Sequence, residues 1–153
     1  MSPLFERERD GYLVSDDLAR LDDAAIFAFL SRSYWAANRQ RHTQDLANRN
    51  SLCLGLYQGT VQVGFARVVT DYATFAYLCD VYVLEAHQGR GLGKWLIECL
   101  HAHPRLQGLR RWSLATRDAH GLYAPQGWTP LANTARWMER FDNDANPPLS
   151  GAG

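Results

Sequence analysis

Three strand-like segments that are separated only by tight turns constrain the fold of this chain more than any other feature. They cover residues 51–57, 61–69 and 75–84, and the turns between them fall at Gln58-Gly59 and Asp71-Tyr72. Successive parallel strands need a crossover of a dozen or more residues, which turns this short cannot provide. The sequence therefore predicts an antiparallel meander, and Gly64 in its second strand indicates a bulge or a close contact.

Helical segments lie on both sides of this meander in the sequence. Asp22 or Asp23 caps a predicted helix that continues through Leu30, and residues 43–49 form a second predicted helix with Thr43 as its cap. After the meander the apolar spacing changes to that of a helix, which Pro104 ends. The apolar face of that helix contains Leu92, Leu96, Ile97 and Leu100.

Shorter segments complete the predicted order of elements. Residues 12–14 are predicted to form an edge strand, residues 111–115 a further strand, and residues 118–123 a short helix. A closing pair of strands is predicted over residues 128–131 and 136–141. The sequence thus predicts an α/β (α+β) fold with a mixed, mostly antiparallel sheet in a single domain over residues 1–141. The polar tail, residues 142–153, is predicted to be disordered.

Composition and charge exclude several classes of protein. The 153 residues suffice for one domain with a sizeable core, and the sixteen basic residues balance the sixteen acidic ones. No net field therefore attracts nucleic acid or an anionic membrane. No apolar run approaches the roughly 20 residues of a membrane helix, and the charged N-terminus is unlike a signal peptide. Cys53, Cys79 and Cys99 fit no zinc spacing, and we expect buried thiols in a reducing cytoplasm.

A glycine-rich loop joins the last strand of the meander to the long helix. Its alternate glycines leave the backbone N–H groups uncovered, and the helix start adds unpaired N–H groups with a partial positive charge. Two basic side chains add formal charge. The loop therefore predicts a phosphate or pyrophosphate site, with a glycine-rich turn that binds nothing as the alternative. Its residues are Gln88, Gly89, Arg90, Gly91, Leu92, Gly93 and Lys94.

Two common nucleotide-binding motifs do not fit this loop. A P-loop would need glycine at position 88 and a hydroxyl side chain at position 95, where the chain has Gln88 and Trp95. A dinucleotide fingerprint would need glycine at position 94 or 96, where the chain has Lys94 and Leu96. It would also belong at the start of a parallel unit rather than after an antiparallel meander.

A third phosphate-binding pattern, Gln/Arg-x-x-Gly-x-Gly/Ala, matches Gln88, Gly91 and Gly93. On this motif the chain resembles the GNAT acyltransferase superfamily, in which the loop binds the coenzyme A pyrophosphate through backbone amides. Residues 122–128 also resemble the Tyr-x-x-x-Gly-Phe segment of that family, with Trp128 in place of phenylalanine. The order of elements matches the family from about residue 12 to residue 141.

The resemblance implies a mode of binding for acyl-CoA. The strand before the loop and the strand at 111–115 should run parallel and splay apart, with the acyl-CoA inserted between them. The backbone of Val81, Tyr82 and Val83 would bind the pantetheine arm and polarise the thioester carbonyl, while the amides of residues 89–94 would hold the pyrophosphate. Thr116 stands where the family often has asparagine, so its bond to the pantetheine would be weaker.

The resemblance also implies catalytic candidates. Tyr123 matches the tyrosine that protonates the departing thiolate, although an ordinary helix tyrosine is the alternative. Asp80 is the single carboxylate of its apolar strand, and a buried acid without a partner is costly. It is therefore a candidate general base, a ligand of the substrate amine, or a partner of an arginine such as Arg67. In some family members the base position corresponds to Tyr77 or Cys79.

Three further residues are candidates for the acceptor side of the site. His120 lies three residues before Tyr123 on the same helix face, and histidine is a residue type that suits a proton relay. A surface histidine is the alternative. Tyr34 and Trp35 are candidate walls of the acceptor pocket, with simple packing as the alternative.

The resemblance as a whole implies an acetyl-CoA-dependent N-acetyltransferase that acts on a primary amine by direct attack in a ternary complex. A small-molecule acceptor is expected, without a metal, a nucleic acid or a membrane as partner, and a homodimer is compatible with the family. The alternatives are an inactive acyl-CoA-binding module and an acetyltransferase of protein or peptide amines. The acceptor itself is not encoded in any motif.

Overall fold

The computed structural model describes residues 3–145, which form one six-stranded mixed sheet and four α-helices. The strands are β1 Glu6–Arg9, β2 Tyr12–Ser15, β3 Leu52–Gln58, β4 Val61–Thr70, β5 Phe75–Val83 and β6 Arg111–Leu114. The helices are α1 Asp23–Leu30, α2 Arg41–Arg49, α3 Leu92–Ala102 and α4 His120–Tyr123. The strands lie in chain order across the sheet, and each neighbouring pair is antiparallel except the parallel pair β5 and β6. The predicted fold class and the predicted meander are confirmed.

The sheet is covered on both faces because side chains alternate along its strands. Leu54 and Leu56 of β3 belong to an apolar cluster that includes the buried face of α3. Cys53, which immediately precedes Leu54 in the same strand, belongs to a second cluster that includes Ile26 and Leu30 of α1. The two helices therefore pack on opposite faces. No helix within residues 3–145 combines the length and the apolar character that a membrane span requires.

The first strand of the sheet was not predicted. Residues 12–14 pair with β1 on one side and with β3 on the other, so β2 is not the predicted edge strand. The β1 segment is Glu-Arg-Glu-Arg and mostly exposed. A charged edge strand carries no apolar alternation, and this leaves no signal for sequence analysis.

The helix caps were predicted correctly in one case and wrongly in another. The Asp22 side chain accepts a hydrogen bond from the Ala25 N–H at 3.0 Å and caps α1 as expected. Helix α2 begins at Arg41 and not at the predicted cap Thr43, and it has no side-chain cap. A buried Gln44 amide donates to the Asn48 side chain at 2.8 Å, so the polar face of this helix is turned inward.

The predicted closing strands at residues 128–131 and 136–141 are absent, and this prediction was wrong. The described chain contains only a short 3-10 helix, Thr134–Arg136, in this region. Pro130 removes a ladder donor from the first run, and no strand pairs with the second within residues 3–145. Met138 is 95% exposed, so its side chain contributes no packing to an extended segment. Of the predicted disordered tail, residues 146–153 lie outside the described residues.

Two irregularities change which side chains face each side of the sheet. At Gly64 an added Cβ would lie 2.9 Å from the Leu56 side chain and 3.0 Å from the Tyr82 carbonyl oxygen, which confirms the predicted close contact. The register of β4 and β5 shifts beside Ala66, where Asp80 has a φ of +51°. This bulge reverses the alternation along β5, since Ala76 and Leu78 pack in the α3 cluster before it and Val81 and Val83 after it.

The parallel strands β5 and β6 separate after four residue pairs. The last pair is Leu78 with Leu114, where β6 ends, whereas β5 continues through Val83. Residues 79–83 therefore have no strand partner on the β6 side. This is the predicted splayed pair, and it leaves an opening between the last two strands of the sheet.

Candidate active site

Two adjoining cavities lie at the opening between β5 and β6. The first, of about 560 Å³, is the splay cavity; it is lined by residues 77–81 and 114–119 and by side chains from the connection between α1 and α2. The second, of about 950 Å³, is the C-terminal cavity, to which residues 128–131 and 137–139 contribute. Both cavities are lined by Tyr77, Leu114, Thr116 and Tyr123. The two spaces meet where the strands diverge.

The glycine-rich loop presents a row of unpaired backbone N–H groups. Gly89 and Gly91 have φ values of +79° and +75°, a left-handed conformation that favours glycine, and Gly91 caps α3 without a side-chain hydrogen bond. In the part of the chain that is described, the N–H groups of residues 89–94 donate to no acceptor. The loop and the start of an eleven-residue helix thus have the donors that a phosphate group needs.

Three cationic side chains surround this row of donors. Arg90 and Lys94 come from the loop itself, and the exposed Arg9 of β1 is a third that the sequence analysis missed. The Arg9 guanidinium donates to the Gly91 carbonyl oxygen at 3.4 Å and lies 5.0 Å from the Trp95 ring. The three cations make the loop electropositive, although the chain as a whole carries no net charge.

Gln88 holds the loop against the end of β5. Its side-chain amide donates to the Val83 carbonyl oxygen at 2.9 Å. On the other side, the Tyr12 hydroxyl lies 2.8 Å from His87 Nδ1 and accepts a hydrogen bond from Arg90 at 3.2 Å. These contacts fix the loop to two strands.

The side chains of the predicted β5 contacts pack on the two faces of the sheet. The Tyr82 ring stacks on Phe29 at a centroid distance of 3.9 Å, and Val81 and Val83 pack in the α3 cluster. Leu92 is likewise buried in that cluster. On the β6 side, the backbone of β5 beyond Leu78 has no strand partner in the described chain, and Val81 also lines the splay cavity.

Tyr123 carries a hydroxyl that has no partner in residues 3–145 and belongs to the wall of both cavities. Its ring is buried and lies 5.8 Å from Trp128. Burial raises the pKa of the Tyr123 hydroxyl to about 12, so the group keeps its proton at neutral pH. It is a proton donor in a place where a leaving group could reach it.

Thr116 and His120 lie on either side of the turn that leads into α4. The Thr116 hydroxyl oxygen accepts a hydrogen bond from the Ala119 N–H at 3.1 Å and still has its own proton to donate. His120 is exposed and lines the C-terminal cavity, not the splay cavity. Both residues therefore line the C-terminal cavity, and Thr116 also lines the splay cavity.

Asp80 lies at the buried end of the splay cavity and accepts five hydrogen bonds. Trp35 Nε1 donates at 2.9 Å, Arg39 Nη1 at 3.0 and 2.9 Å to the two oxygens, Arg67 Nε at 2.8 Å and Gln44 Nε2 at 3.2 Å. Burial alone would raise the pKa of Asp80, but the two guanidinium groups and their hydrogen bonds outweigh it and hold that pKa below its ordinary value. The ion pair with Arg67, one of the three predicted roles, is present.

Tyr34 and Trp35 form one wall of the splay cavity and also make structural contacts. The Tyr34 hydroxyl accepts a hydrogen bond from the Arg117 backbone N–H at 3.1 Å, and the Arg117 guanidinium lies 3.9 Å from the Tyr34 ring. Trp35 donates to Asp80, as above. The two aromatic residues therefore connect the helical N-terminal region to the loop after β6.

Cys79 also lines the splay cavity, and its thiol is a poor nucleophile. Burial raises the pKa of the Cys79 thiol to about 11, so the thiolate fraction at neutral pH is very small. Arg39, which the sequence analysis missed, lies in an irregular segment without periodicity. Only its contact with Asp80 reveals it.

The sequence profile of the Acetyltransferase (GNAT) family matches residues 16–128, which include the glycine-rich loop, Asp80 and Tyr123. This match covers more than half of the chain. The chain belongs to the GNAT acetyltransferase family. It is therefore an acyltransferase with the fold that this family shares.

Individual relatives agree with the family assignment. A crystal structure of a GNAT-family candidate acetyltransferase from Xanthomonas campestris pv. campestris is 48% identical with a TM-score of 0.85, and the match covers 88% of this chain and 96% of that one. A candidate acetyltransferase of Gibberella zeae is 40% identical over 138 residues, which cover 75% of this chain and 77% of that protein. N-alpha-acetyltransferase 80 of Mus musculus is 31% identical over 113 residues, 66% of this chain but only 36% of the mouse protein.

Proposed function

We propose that this GNAT protein is an acetyl-CoA-dependent N-acetyltransferase that acetylates the primary amine of a small molecule by direct attack in a ternary complex. The observation that carries the proposal is the Tyr123 hydroxyl, which is protonated at neutral pH and has no hydrogen-bond partner among the described residues, at the place where β5 and β6 diverge. The unpaired amides of residues 89–94 add a phosphate site at the end of the same strand.

The residues at the opening fit the parts of acetyl-CoA. Amides 89–94, with Arg90, Lys94 and Arg9 beside them, would hold the pyrophosphate. The unpaired edge of β5 at Val81 to Val83 would bind the pantetheine arm through its backbone, and Thr116 would contribute its hydroxyl from the opposite side. Gln88 would act by fixing the loop, since its amide already donates to β5.

Acetyl-CoA supplies the acetyl thioester in this reaction. The backbone of β5 would polarise the thioester carbonyl, and the Tyr123 hydroxyl would give its proton to the departing sulfur. A phenol with a pKa of about 12 remains protonated across the neutral range, as a general acid must be before it donates its proton. The weak acidity of the Cys79 thiol supports transfer directly to the amine rather than through an acetylated cysteine.

We assign Asp80 to the organisation of the cavity rather than to proton abstraction. Its carboxylate is fully buried and already accepts five hydrogen bonds, and its lowered pKa makes it a weak proton acceptor. His120 is proposed to contact the acceptor from the C-terminal cavity, with Tyr34 and Trp35 on the other side. The amine proton would leave through the open mouth of the cavities to water.

A thiol-release assay with acetyl-CoA and a panel of amines, with the product identified by mass spectrometry, tests this function. Tyr123→Phe should lower kcat while the coenzyme A affinity, measured by calorimetry, stays near that of the wild type. Tyr72→Phe is a matched control, because Tyr72 lies at an exposed turn beside Arg105. Coenzyme A binding without turnover on any amine would instead identify an inactive acyl-CoA-binding module.

The N-terminal amine of a protein or peptide is the second candidate acceptor. It is favoured by the name of the mouse relative, although that protein is matched over little more than a third of its length. Peptides in the same amine panel distinguish the two acceptors. A cytoplasmic location and a homodimer stay predictions of the sequence.

A further inference from the structure

The splay cavity carries one positive charge more than it carries negative charges. The ionised side chains that line it are Arg39, Arg67, Arg117, Asp80 and Asp118. Three guanidinium groups thus face two carboxylates. Glu139 lines the C-terminal cavity and does not belong to this set.

The surplus charge lies at the inner end of the cavity. At the rim, Arg117 and Asp118 form a pair at 3.8 Å, and both side chains are about two-thirds exposed, so their charges offset each other in water. At the inner end, Asp80 is the only acidic partner that residues 3–145 provide for two guanidinium groups, those of Arg39 and Arg67. Their side chains are 19% and 10% exposed. A buried cation that shares its counter-ion is poorly compensated.

Donors on both inner arginines are also unused. Arg39 makes its contacts with Gln44 and Asp80 through Nη1 alone, which leaves Nε and Nη2 without an acceptor in the described chain. Arg67 uses Nε for Asp80 and Nη1 for the Ser51 hydroxyl, which leaves its Nη2. None of these three nitrogens is enclosed by protein. They can therefore donate to a ligand in the cavity.

The same inner end offers nothing to a second ammonium group. Of the carboxylates in the described part of the chain, Asp80 is the only one at this end. Its oxygens already accept five hydrogen bonds, and its side chain has no exposed surface. A planar carboxylate, in contrast, matches both the charge and the fork geometry of a guanidinium.

We infer that the acceptor is a primary amine that also carries a carboxylate, which Arg39, supported by Arg67, binds at the inner end of the splay cavity. This inference rests on the proposed acetyl transfer and names the substrate class of that site. The carboxylate would balance the surplus positive charge of Arg39, Arg67 and Asp80. The amine of the acceptor would extend toward the opening that Tyr123 lines. Diamines and polyamines would be poor acceptors.

The test compares matched acceptors on one enzyme preparation. Amino carboxylates of two to five carbons are measured against their primary amides and against diamines of the same length, in the thiol-release assay with saturating acetyl-CoA. Wild-type kcat/KM should be about 10-fold to 100-fold higher for the carboxylates than for the amides, mostly through KM, as expected for one charge-assisted contact. Peptides with aspartate or asparagine at the second position distinguish a free amino acid from a peptide as the source of the carboxylate.

Arg39→Gln should reduce the ratio of carboxylate to amide activity to near one, and Arg39→Lys should restore part of it. This ratio does not depend on the fraction of folded enzyme, so a merely structural defect would leave it unchanged. Arg41→Gln is the matched control, because Arg41 pairs with Asp45 on the surface of α2 outside the cavity. It should keep the wild-type ratio.

A wild-type ratio near one, a preference for diamines, or an Arg39→Gln variant that keeps the wild-type ratio would overturn the inference while leaving acetyl transfer intact. If no amine is acetylated, the proposed function fails instead. In that case the carboxylate preference is tested by calorimetric titration of an amino carboxylate and of its amide into the coenzyme A complex. If the two bind equally, or if neither binds, the inference is overturned as well.

Discussion

Replacing Asp80 by asparagine tests the central charge cluster, because it separates a structural carboxylate from a general base. The substitution keeps the shape of the side chain but removes the charge that compensates Arg39 and Arg67 at 2.9 and 2.8 Å. The asparagine side chain also has only one oxygen that can accept hydrogen bonds, whereas both oxygens of Asp80 accept them. Removing one partner of a buried ion pair costs about 3–5 kcal/mol, so we expect the free energy of unfolding to fall by that amount.

Urea unfolding followed by tryptophan fluorescence measures this loss. With a slope of about 2 kcal/mol per molar urea, the midpoint should fall by about 1.5–2.5 M. Asp45→Asn is the control, since its pair with Arg41 is a surface pair between positions four apart on α2 and is worth only about 0.5 kcal/mol. In an Arg39→Gln background, Asp80→Asn should lower the free energy of unfolding by a smaller amount, because one of the two cations that it leaves uncompensated is already absent.

The pH dependence of stability tests independently whether the ionised Asp80 carboxylate stabilises the fold. The folded-state pKa of Asp80 is held below its unfolded value, so the carboxylate stabilises the fold above about pH 4. That contribution is lost as the pH falls through the lower folded-state pKa. The stability difference between wild type and Asp80→Asn should therefore be full at neutral pH and shrink below about pH 4.

The opposite pattern would refute the structural role. An Asp80→Asn variant with a midpoint near that of the wild type, but with kcat abolished and the acidic limb of its pH–rate profile removed, would make Asp80 the general base. In that case the five hydrogen bonds of the carboxylate would have to rearrange when substrate binds.

Further predictions follow from single contacts. Tyr123→Phe should lower kcat about 10-fold to 100-fold, and the wild-type rate should show no loss from Tyr123 ionisation until the pH approaches its pKa of about 12. Gly64→Ala should cost about 1–3 kcal/mol in urea unfolding, because its Cβ would meet the Tyr82 backbone oxygen at 3.0 Å; an unchanged midpoint would contradict this packing. Gly91→Ala should weaken coenzyme A binding, measured by calorimetry, because alanine disfavours the φ of +75° that shapes the loop. Cys79→Ala should keep more than half of the wild-type kcat, whereas complete loss would indicate an acetyl-cysteine route.

The predictions that succeeded rest on local constraints. The meander follows from connections too short for a crossover, and the structure has its three strands within a residue or two of the predicted bounds. The loop at residues 88–94 follows from glycines that permit positive φ next to a helix start. Both depend on neighbours in sequence, so they could be deduced without knowing the rest of the fold.

The predictions that failed depend on partners distant in sequence. Strand β1 has no apolar pattern and forms because β2 offers it an edge. Residues 136–141 contain three large apolar side chains but have no strand beside them in the described chain. Backbone hydrogen bonds between strands need a partner, and a sequence pattern cannot supply one.

The sequence by itself therefore indicated the glycine-rich loop, the strand–turn–strand spacing and the candidate Tyr123. Each of them depends on backbone sterics or on a motif within a few residues. The charge cluster of the splay cavity was decided only by the tertiary structure. Arg39, Arg67 and Asp80 are separated by up to 41 residues, and a bulge in β5 turns Asp80 toward the two arginines. Charge interactions fall off with distance in space rather than in sequence, so only the folded chain reveals that this carboxylate is already paired.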